Sequence, residues 1–271
     1  MKYLVTGGTG SFGTAFVKYI LKSTRDSVTV FSRDELKQWN MRNEIKDKRL
    51  SFCVGDVRDR ESLFQAIQGH GRVIHAAALK HVHTGEEQPR ETILTNIIGT
   101  ENVAEICKGL GAEMVLLSTD KAVAPVNLYG ASKMSAEYLT LKNGHRVVRY
   151  GNIFHSRGSV LHVFKKEAAR GNVFTITDRR MTRFIVTFEQ AIQTVMDSFD
   201  KAPGTVTIPD IPSIRITDLA LAFDEKAEFR EIGMQPGEKL AEVLQLDPYI
   251  GSDTAPKLTV EQIRRLIDET V

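Results

Sequence analysis

The chain has 271 residues, of which 42% are hydrophobic and 26% charged, and a formal net charge of +2. That balance belongs to an ordinary soluble globular protein, long enough for one large α/β domain or a domain with an appended lobe. It argues against a nucleic-acid surface or an acidic tail, and no apolar run approaches the ~20 residues of a membrane span.

Lys2 to Thr6 reads as a short strand that begins the chain directly, so no secretory signal is expected and the protein should be cytoplasmic. It runs into Gly7-Gly8-Thr9-Gly10-Ser11-Phe12-Gly13 and then an amphipathic helix, Phe12 to Lys22. Strand, glycine-rich turn and helix form the dinucleotide-binding arrangement; the plain alternative is a glycine-rich turn without a ligand. Gly7 permits the tight turn, Gly10 lets backbone approach a pyrophosphate, and Gly13 lets helix and strand pack closely. The helix start offers N–H donors to the phosphates.

The second strand, Ser27 to Phe31, ends in Ser32-Arg33, with Lys37 one turn on. A carboxylate here would suit the ribose hydroxyls of NAD. A hydroxyl and two cations suit a 2′-phosphate, which favours NADP, although Asp34 and Glu35 follow at once and weigh against it unless they serve the next helix. The third strand, Leu50 to Val54, leads to Gly55-Asp56-Val57. Asp56 is a candidate acceptor for the adenine amino group, and Asp59 a candidate helix cap. The fourth, Arg72 to His75, enters Ala76-Ala77-Ala78, small enough for a ribose and flat ring to approach, with Lys80 and His81 on the rim beyond. Cys53 and Cys107 read as reduced, structural thiols, and no His or carboxylate partners stand at metal-ligand spacing.

Pro89 to Gly109 reads as one long helix with an unusual small polar stripe at Thr92, Asn96, Gly99 and Thr100. A fifth strand, Ala112 to Leu117, leads to Ser118-Thr119-Asp120-Lys121 and then Tyr129-Gly130-Ala131-Ser132-Lys133. Tyr129 and Lys133 are four apart and share a helix face. A nearby ammonium favours a phenolate, which makes Tyr129 a candidate general base toward an alcohol. A sixth strand, His145 to Arg149, ends in Tyr150-Gly151-Asn152. Alternating strands and helices predict a Rossmann-like, doubly wound parallel sheet, with ligands beyond its carboxyl ends. Gly7–Gly13, Ala76–Ala78, Thr119–Lys121 and Gly151–Asn152 all follow strand ends. From about Arg157 the pattern breaks into short strands, prolines and helices. Residues 1–156 are expected to hold cofactor and catalytic groups, and residues 157–271 to form a smaller substrate-binding lobe, interleaved with the first. Arg157, Arg179, Arg180 and Arg183 fall in that lobe, and Arg forks suit phosphate.

The strings LVTGGTGSFG, FSRDELKQ, GDVRD, HAAALKHV, TNIIGT, STDKAV, NLYGASK, RYGN, SRGSV, DRRMTRF and PGEKLAEVL span nearly the whole chain. On these the sequence resembles the extended short-chain dehydrogenase/reductases, and among them the UDP-N-acetylglucosamine 4,6-dehydratases of surface-sugar synthesis. Thr-Asp-Lys at Thr119–Lys121 separates it from the related dTDP-glucose dehydratases, which carry Thr-Asp-Glu. The resemblance implies a UDP-sugar substrate, tightly held NADP and a homo-oligomer. It implies that Tyr129 with Lys133 oxidises the sugar at carbon 4, with Thr119 on the reacting hydroxyl. Lys121, which must be neutral and so needs a lowered pKa, removes the carbon-5 proton, and Asp120 protonates the departing 6-hydroxyl. Lys80, Asn152, Arg157, Thr177, Arg183 and Glu238 are implied to hold the substrate. Gln235 and His83 depart from the family pattern, which has Arg and Pro there. Two other functions stay open: a UDP-sugar 4-epimerase using the same Tyr129/Lys133 oxidation, and a non-catalytic NADP-binding regulator. Asp120-Lys121 argues against the first, and the intact Thr119, Tyr129 and Lys133 against the second.

Overall fold

A computed structural model of the protein describes residues 1–269. Its first half is built of β1 (Lys2–Thr6), α1 (Ser11–Ser23), β2 (Ser27–Ser32), α2 (Glu35–Glu44), β3 (Leu50–Val54), α3 (Arg60–Ile67), β4 (Arg72–His75), α4 (Val82–Glu87), α5 (Pro89–Thr92), α6 (Gly99–Leu110), β5 (Glu113–Thr119), α7 (Leu128–Lys142) and β6 (Arg146–Tyr150). The second half carries β7 (Asn152–Ile153), α8 (Val160–Ala168), β8 (Val173–Ile176), β9 (Thr182–Val186), α9 (Phe188–Ser198), β10 (Val206–Thr207), β11 (Ser213–Arg215), α10 (Ile216–Phe223), β12 (Glu228–Glu231), β13 (Val243–Gln245), β14 (Ile250–Gly251) and α11 (Val260–Asp268).

The main sheet has the order β3-β2-β1-β4-β5-β6-β10, and its paired strands are all parallel. Parallel strands buried on both faces must be apolar on both. Val5, Val30, Ile74, Val115 and Val148 point to one face, under Phe16, Val17 and Ile20 of α1. Their neighbours Leu4, Val73, Met114, Leu116 and Val147 point to the other, under α3 and α6. The chain reverses direction across the sheet between β1 and β4, and the crevice at that switch is where such sheets bind ligands.

One expectation changes at the level of elements. The helix foreseen over Pro89–Gly109 is interrupted by a π-helical turn, Ile93–Ile98, between α5 and α6. Inside it Asn96 accepts from the Leu79 N–H (2.8 Å) and donates to the Leu79 carbonyl (3.0 Å) and to Ser132 (3.0 Å). The polar stripe therefore pins the loop after β4 to α7. His75 joins the same network. Thr100 donates to the Asn96 carbonyl at 2.7 Å, so it accepts from His75 Nε2–H, leaving Nδ1 to accept from Thr6. Burial, reinforced by the Lys133 charge, lowers the imidazole pKa to about 3 and keeps His75 neutral.

The chain after residue 157 is shared between the lobe and the main sheet. β10 becomes the edge strand beside β6, and Ile192, Val195 and Phe199 around α9 pack on the α1 face of the main sheet. The lobe proper has its own core of Phe164, Phe174, Ile185, Ile214, Leu219 and Ile263. Its small sheet β11-β9-β7 begins immediately after β6, so the lobe hangs directly over the strand ends. Cys53 and Cys107 are free; burial pushes Cys107 up to about 12. Among the described residues no helix is long and apolar enough to cross a membrane, and no His, Cys, Asp and Glu group could hold a metal.

Candidate active site

A cleft of about 1100 Å³ lies between the strand ends and the lobe. One end is the glycine-rich turn. Gly7 has φ +65°, and a Cβ there would stand 2.8 Å from the Ala77 backbone, so the turn after β1 and the Ala76–Ala78 loop after β4 meet only because Gly7 has no side chain. No side chain caps α1; Gly10, Ser11, Phe12 and Gly13 line the cleft at its N-terminus, with Gly7 and Thr9. A turn of this shape can hold a phosphate-bearing dinucleotide. Ser32, Arg33, Lys37, Asp56 and Val57 line the same end, as do Ala76, Ala77 and Ala78.

The charges there are arranged in pairs. Lys37 pairs with Asp34 (2.6 Å), which also caps α2 by accepting from the Lys37 N–H. Arg33, half exposed, lies 3.7 Å from Asp56, whose carboxylate is held mainly by Arg58. The Ser32 hydroxyl accepts from Gln38 and is buried. Asp34 is thus a helix cap, and Arg33 is more loosely paired than Lys37.

Arg157 stands at this end of the cleft. It donates to the Thr9 carbonyl (2.6 Å) and to Ser11, and its own carbonyl accepts from Lys80 (2.7 Å). These contacts make Arg157 a strap across the glycine-rich turn, while its side chain also lines the cleft. Asn152, Thr177, Arg183 and Glu238 line the lobe side of the cleft. Arg183 is fixed by the Thr182 and Leu240 carbonyls, Thr177 by Met181, and Glu238 closes its own turn by accepting from the Gln235 N–H.

The middle of the cleft carries the chemistry. β5 ends at Thr119, and a short 3-10 turn, Asp120–Ala122, follows at once. Gly130 lets this turn lie on α7, because a Cβ there would strike the Lys121 carbonyl. Asn127 caps α7 through the Gly130 N–H and donates to the Gly237 carbonyl of the lobe, so the helix bearing Tyr129 is tied to the lobe. Thr119, Lys121 and Tyr129 line the cleft; Asp120 and Lys133 are buried behind its wall. Thr119 donates to Asp120 Oδ1 (2.9 Å), Lys121 Nζ lies 3.0 Å from the same oxygen, and Lys133 Nζ donates to the Leu117 carbonyl (2.7 Å).

The charge states differ from those expected. Burial by itself would lower the Lys121 pKa, but the Asp120 and Glu242 carboxylates outweigh it and raise it, so the amine is protonated at rest. Burial pushes Tyr129 up to about 12, with Asp120 adding to the rise; Lys121 and the Thr119 hydroxyl oppose it. Lys121, not Lys133, is the ammonium that favours the phenolate here. Lys133 is itself lowered to about 8 by burial, against the pull of Glu137.

Glu242 was not foreseen. It is 3% exposed, lines the cleft, and lies 3.2 Å from Lys121 Nζ. Its residue was within the string PGEKLAEVL, but a loop between prolines has no period from which a facing direction could be read.

Comparison with known proteins fits this geometry. A family model described as "Polysaccharide biosynthesis protein" matches residues 3–263. The chain belongs to this family. It is 42% identical over 254 residues to a UDP-N-acetylglucosamine 4,6-dehydratase (inverting) of Campylobacter jejuni subsp. jejuni serotype O:23/36, covering 89% of this chain and 76% of that one. It is also 40% identical over 260 residues to a UDP-glucose 4-epimerase of Rickettsia conorii, with the same shares covered. Among solved structures, Pen from Bacillus thuringiensis superposes with a TM-score of 0.91 at 31% identity, over 99% of this chain and 98% of that one. The family therefore has the extended short-chain dehydrogenase/reductase fold expected from the sequence, and its relatives include both a dehydratase and an epimerase.

Proposed function

We propose that the protein is a nucleotide-sugar 4,6-dehydratase that uses NADP to convert a UDP-N-acetylhexosamine, UDP-N-acetylglucosamine first among them, to its 4-keto-6-deoxy product with inversion at carbon 5. The observation that carries this reading is that Tyr129 and Lys121 line one cleft, with Asp120 ion-paired to Lys121 directly behind its wall. An epimerase needs the first; loss of water needs an acid and a base as well.

The cofactor would accept a hydride from sugar carbon 4 and return it to carbon 6. Tyr129 takes the proton of the 4-hydroxyl, and Thr119, which faces the phenol, orients that hydroxyl. Once carbon 4 is a ketone, the carbon-5 proton is acidic. Lys121 removes it while Asp120 protonates the 6-hydroxyl as it leaves as water; when the hydride is returned to carbon 6, carbon 5 takes back one proton from solvent. These two roles need a neutral amine and a neutral carboxyl. Lys121 and Asp120 lie 3.0 Å apart, so one proton passing from nitrogen to oxygen creates both without a net gain or loss. The buried setting favours that neutral pair as substrate excludes water.

The Rickettsia relative makes epimerisation the competing reading. Incubation with UDP-N-acetylglucosamine and mass spectrometry separates the two. Loss of one water supports the dehydratase; an unchanged mass with a new galacto isomer contradicts it. The cofactor is tested separately. Arg33→Ala should weaken NADP binding about tenfold or more, the worth of a lost charge-assisted phosphate contact, and NAD much less. Equal weakening of both, measured by titration calorimetry, removes the 2′-phosphate assignment.

A further inference from the structure

We propose that Glu242 is a positioning residue of the elimination centre: its carboxylate holds the Lys121 amine toward the sugar while Asp120 carries the amine's proton. This rests on the dehydratase reading above.

Lys121 Nζ stands between two buried carboxylates, 3.0 Å from Asp120 Oδ1 and 3.2 Å from Glu242 Oε1. A single carboxylate would suffice to pair the lysine. When the proton moves from Lys121 to Asp120, an N–H bond breaks and an O–H bond forms, and Asp120 becomes a donor. The amine then loses its anchor on that side. Glu242 accepts from a remaining N–H, so the nitrogen lone pair keeps its direction and the adjacent carboxylate keeps the amine a strong base.

Glu242 is built for a fixed position. Its N–H donates to Ser252 Oγ (2.9 Å), its carbonyl accepts from the Ser252 N–H (2.8 Å), and Ser252 Oγ donates to the Thr182 carbonyl of β9 (3.1 Å). Its second oxygen, Oε2, accepts no hydrogen bond among the described residues, although Lys239 Nζ lies 3.6 Å away. Lys239 is committed elsewhere, donating to the Val123 carbonyl at 2.7 Å. The charged and titratable groups around Lys121 are thus Asp120 on its own turn, Glu242 and Lys239 from the segment before β13, Arg183 on β9 and Tyr129 on α7.

Glu242→Gln tests this, because it keeps the volume and removes the charge. With purified enzyme, cofactor and UDP-N-acetylglucosamine, reduction of the nicotinamide should persist, while water loss and carbon-5 deuterium exchange fall about tenfold or more. The one-proton Asp120–Lys121 pair fails when it binds a second proton, and with one anion fewer beside it the pair does so only at lower pH. The acid limb of the elimination profile should therefore move to lower pH by about one unit. Glu242→Asp should restore part of the rate. Unchanged elimination overturns the proposal. So does a slower elimination whose acid limb has not moved, which makes Glu242 a packing residue. If wild-type enzyme reduces no cofactor and releases no water, the dehydratase reading itself fails, separately from this proposal.

Discussion

Lys121→Ala should stop loss of water while leaving the oxidation at sugar carbon 4 in place. General-base contributions are typically ~10²–10⁴-fold, and here the same proton also arms the acid, so elimination should fall to the upper end of that range. Mixing the variant with UDP-N-acetylglucosamine should trap reduced nicotinamide, seen as near-ultraviolet absorbance that does not decay. The substitution has a structural cost, since Asp120 and Glu242 would face each other without a cation between them. Two carboxylates so placed cannot both stay ionised easily, and one will bind a proton. Lys121→Gln, which fills the space and donates to one carboxylate, guards against mistaking misfolding for lost chemistry. Product formation at the wild-type rate in either variant would remove Lys121 as the base.

Tyr129→Phe should act one step earlier. The ring stays in its place between Thr119 and Lys121, but no oxygen remains to take the 4-hydroxyl proton. Nicotinamide reduction in a single turnover should slow by ~10²–10⁴-fold. The pH dependence carries a definite sign. Tyr129 is held up to about 12 in the cleft as described, so the phenolate fraction grows as pH rises toward that value, and oxidation by the wild type should accelerate across the neutral and mildly alkaline range. The Phe variant should lose that slope as well as the rate. A variant that keeps both would take Tyr129 out of the mechanism.

Much of this centre was legible in the sequence, for a physical reason. In a parallel sheet each strand delivers its last residues to the same edge, so motifs that follow strands in order must meet in space. Gly7–Gly13, Ala76–Ala78, Thr119–Lys121 and Gly151–Asn152 do so around one cleft. Local spacing also placed Tyr129 and Lys133 on one helix. What was not legible depends on contacts between distant segments. Thr205–Ile208 reads as a short strand, but nothing local shows that Val206–Thr207 closes the edge of the main sheet beside β6. The π-helical turn at Ile93–Ile98 keeps the hydrophobic pattern of an ordinary helix, and only the bonds of Asn96 to Leu79 and Ser132 reveal its purpose. Lys121 is protonated rather than neutral because Asp120 and Glu242 both face it, and Glu242 is held there by Ser252 and Thr182 rather than by anything near it in sequence. The bond of Arg157 to the turn after β1 joins segments far apart in the chain and is likewise not visible in the local pattern.

The central claim is that oxidation at carbon 4 and elimination across carbons 5 and 6 occur in this one cleft. Proton NMR of the purified protein with UDP-N-acetylglucosamine and catalytic NADP in heavy water tests it most directly. The account predicts a new methyl signal from carbon 6, with solvent deuterium at carbon 5 and a coupling pattern that reports the inverted configuration. UDP-N-acetylgalactosamine appearing with no methyl signal would contradict it, and would make the Asp120–Lys121 pair part of an epimerase.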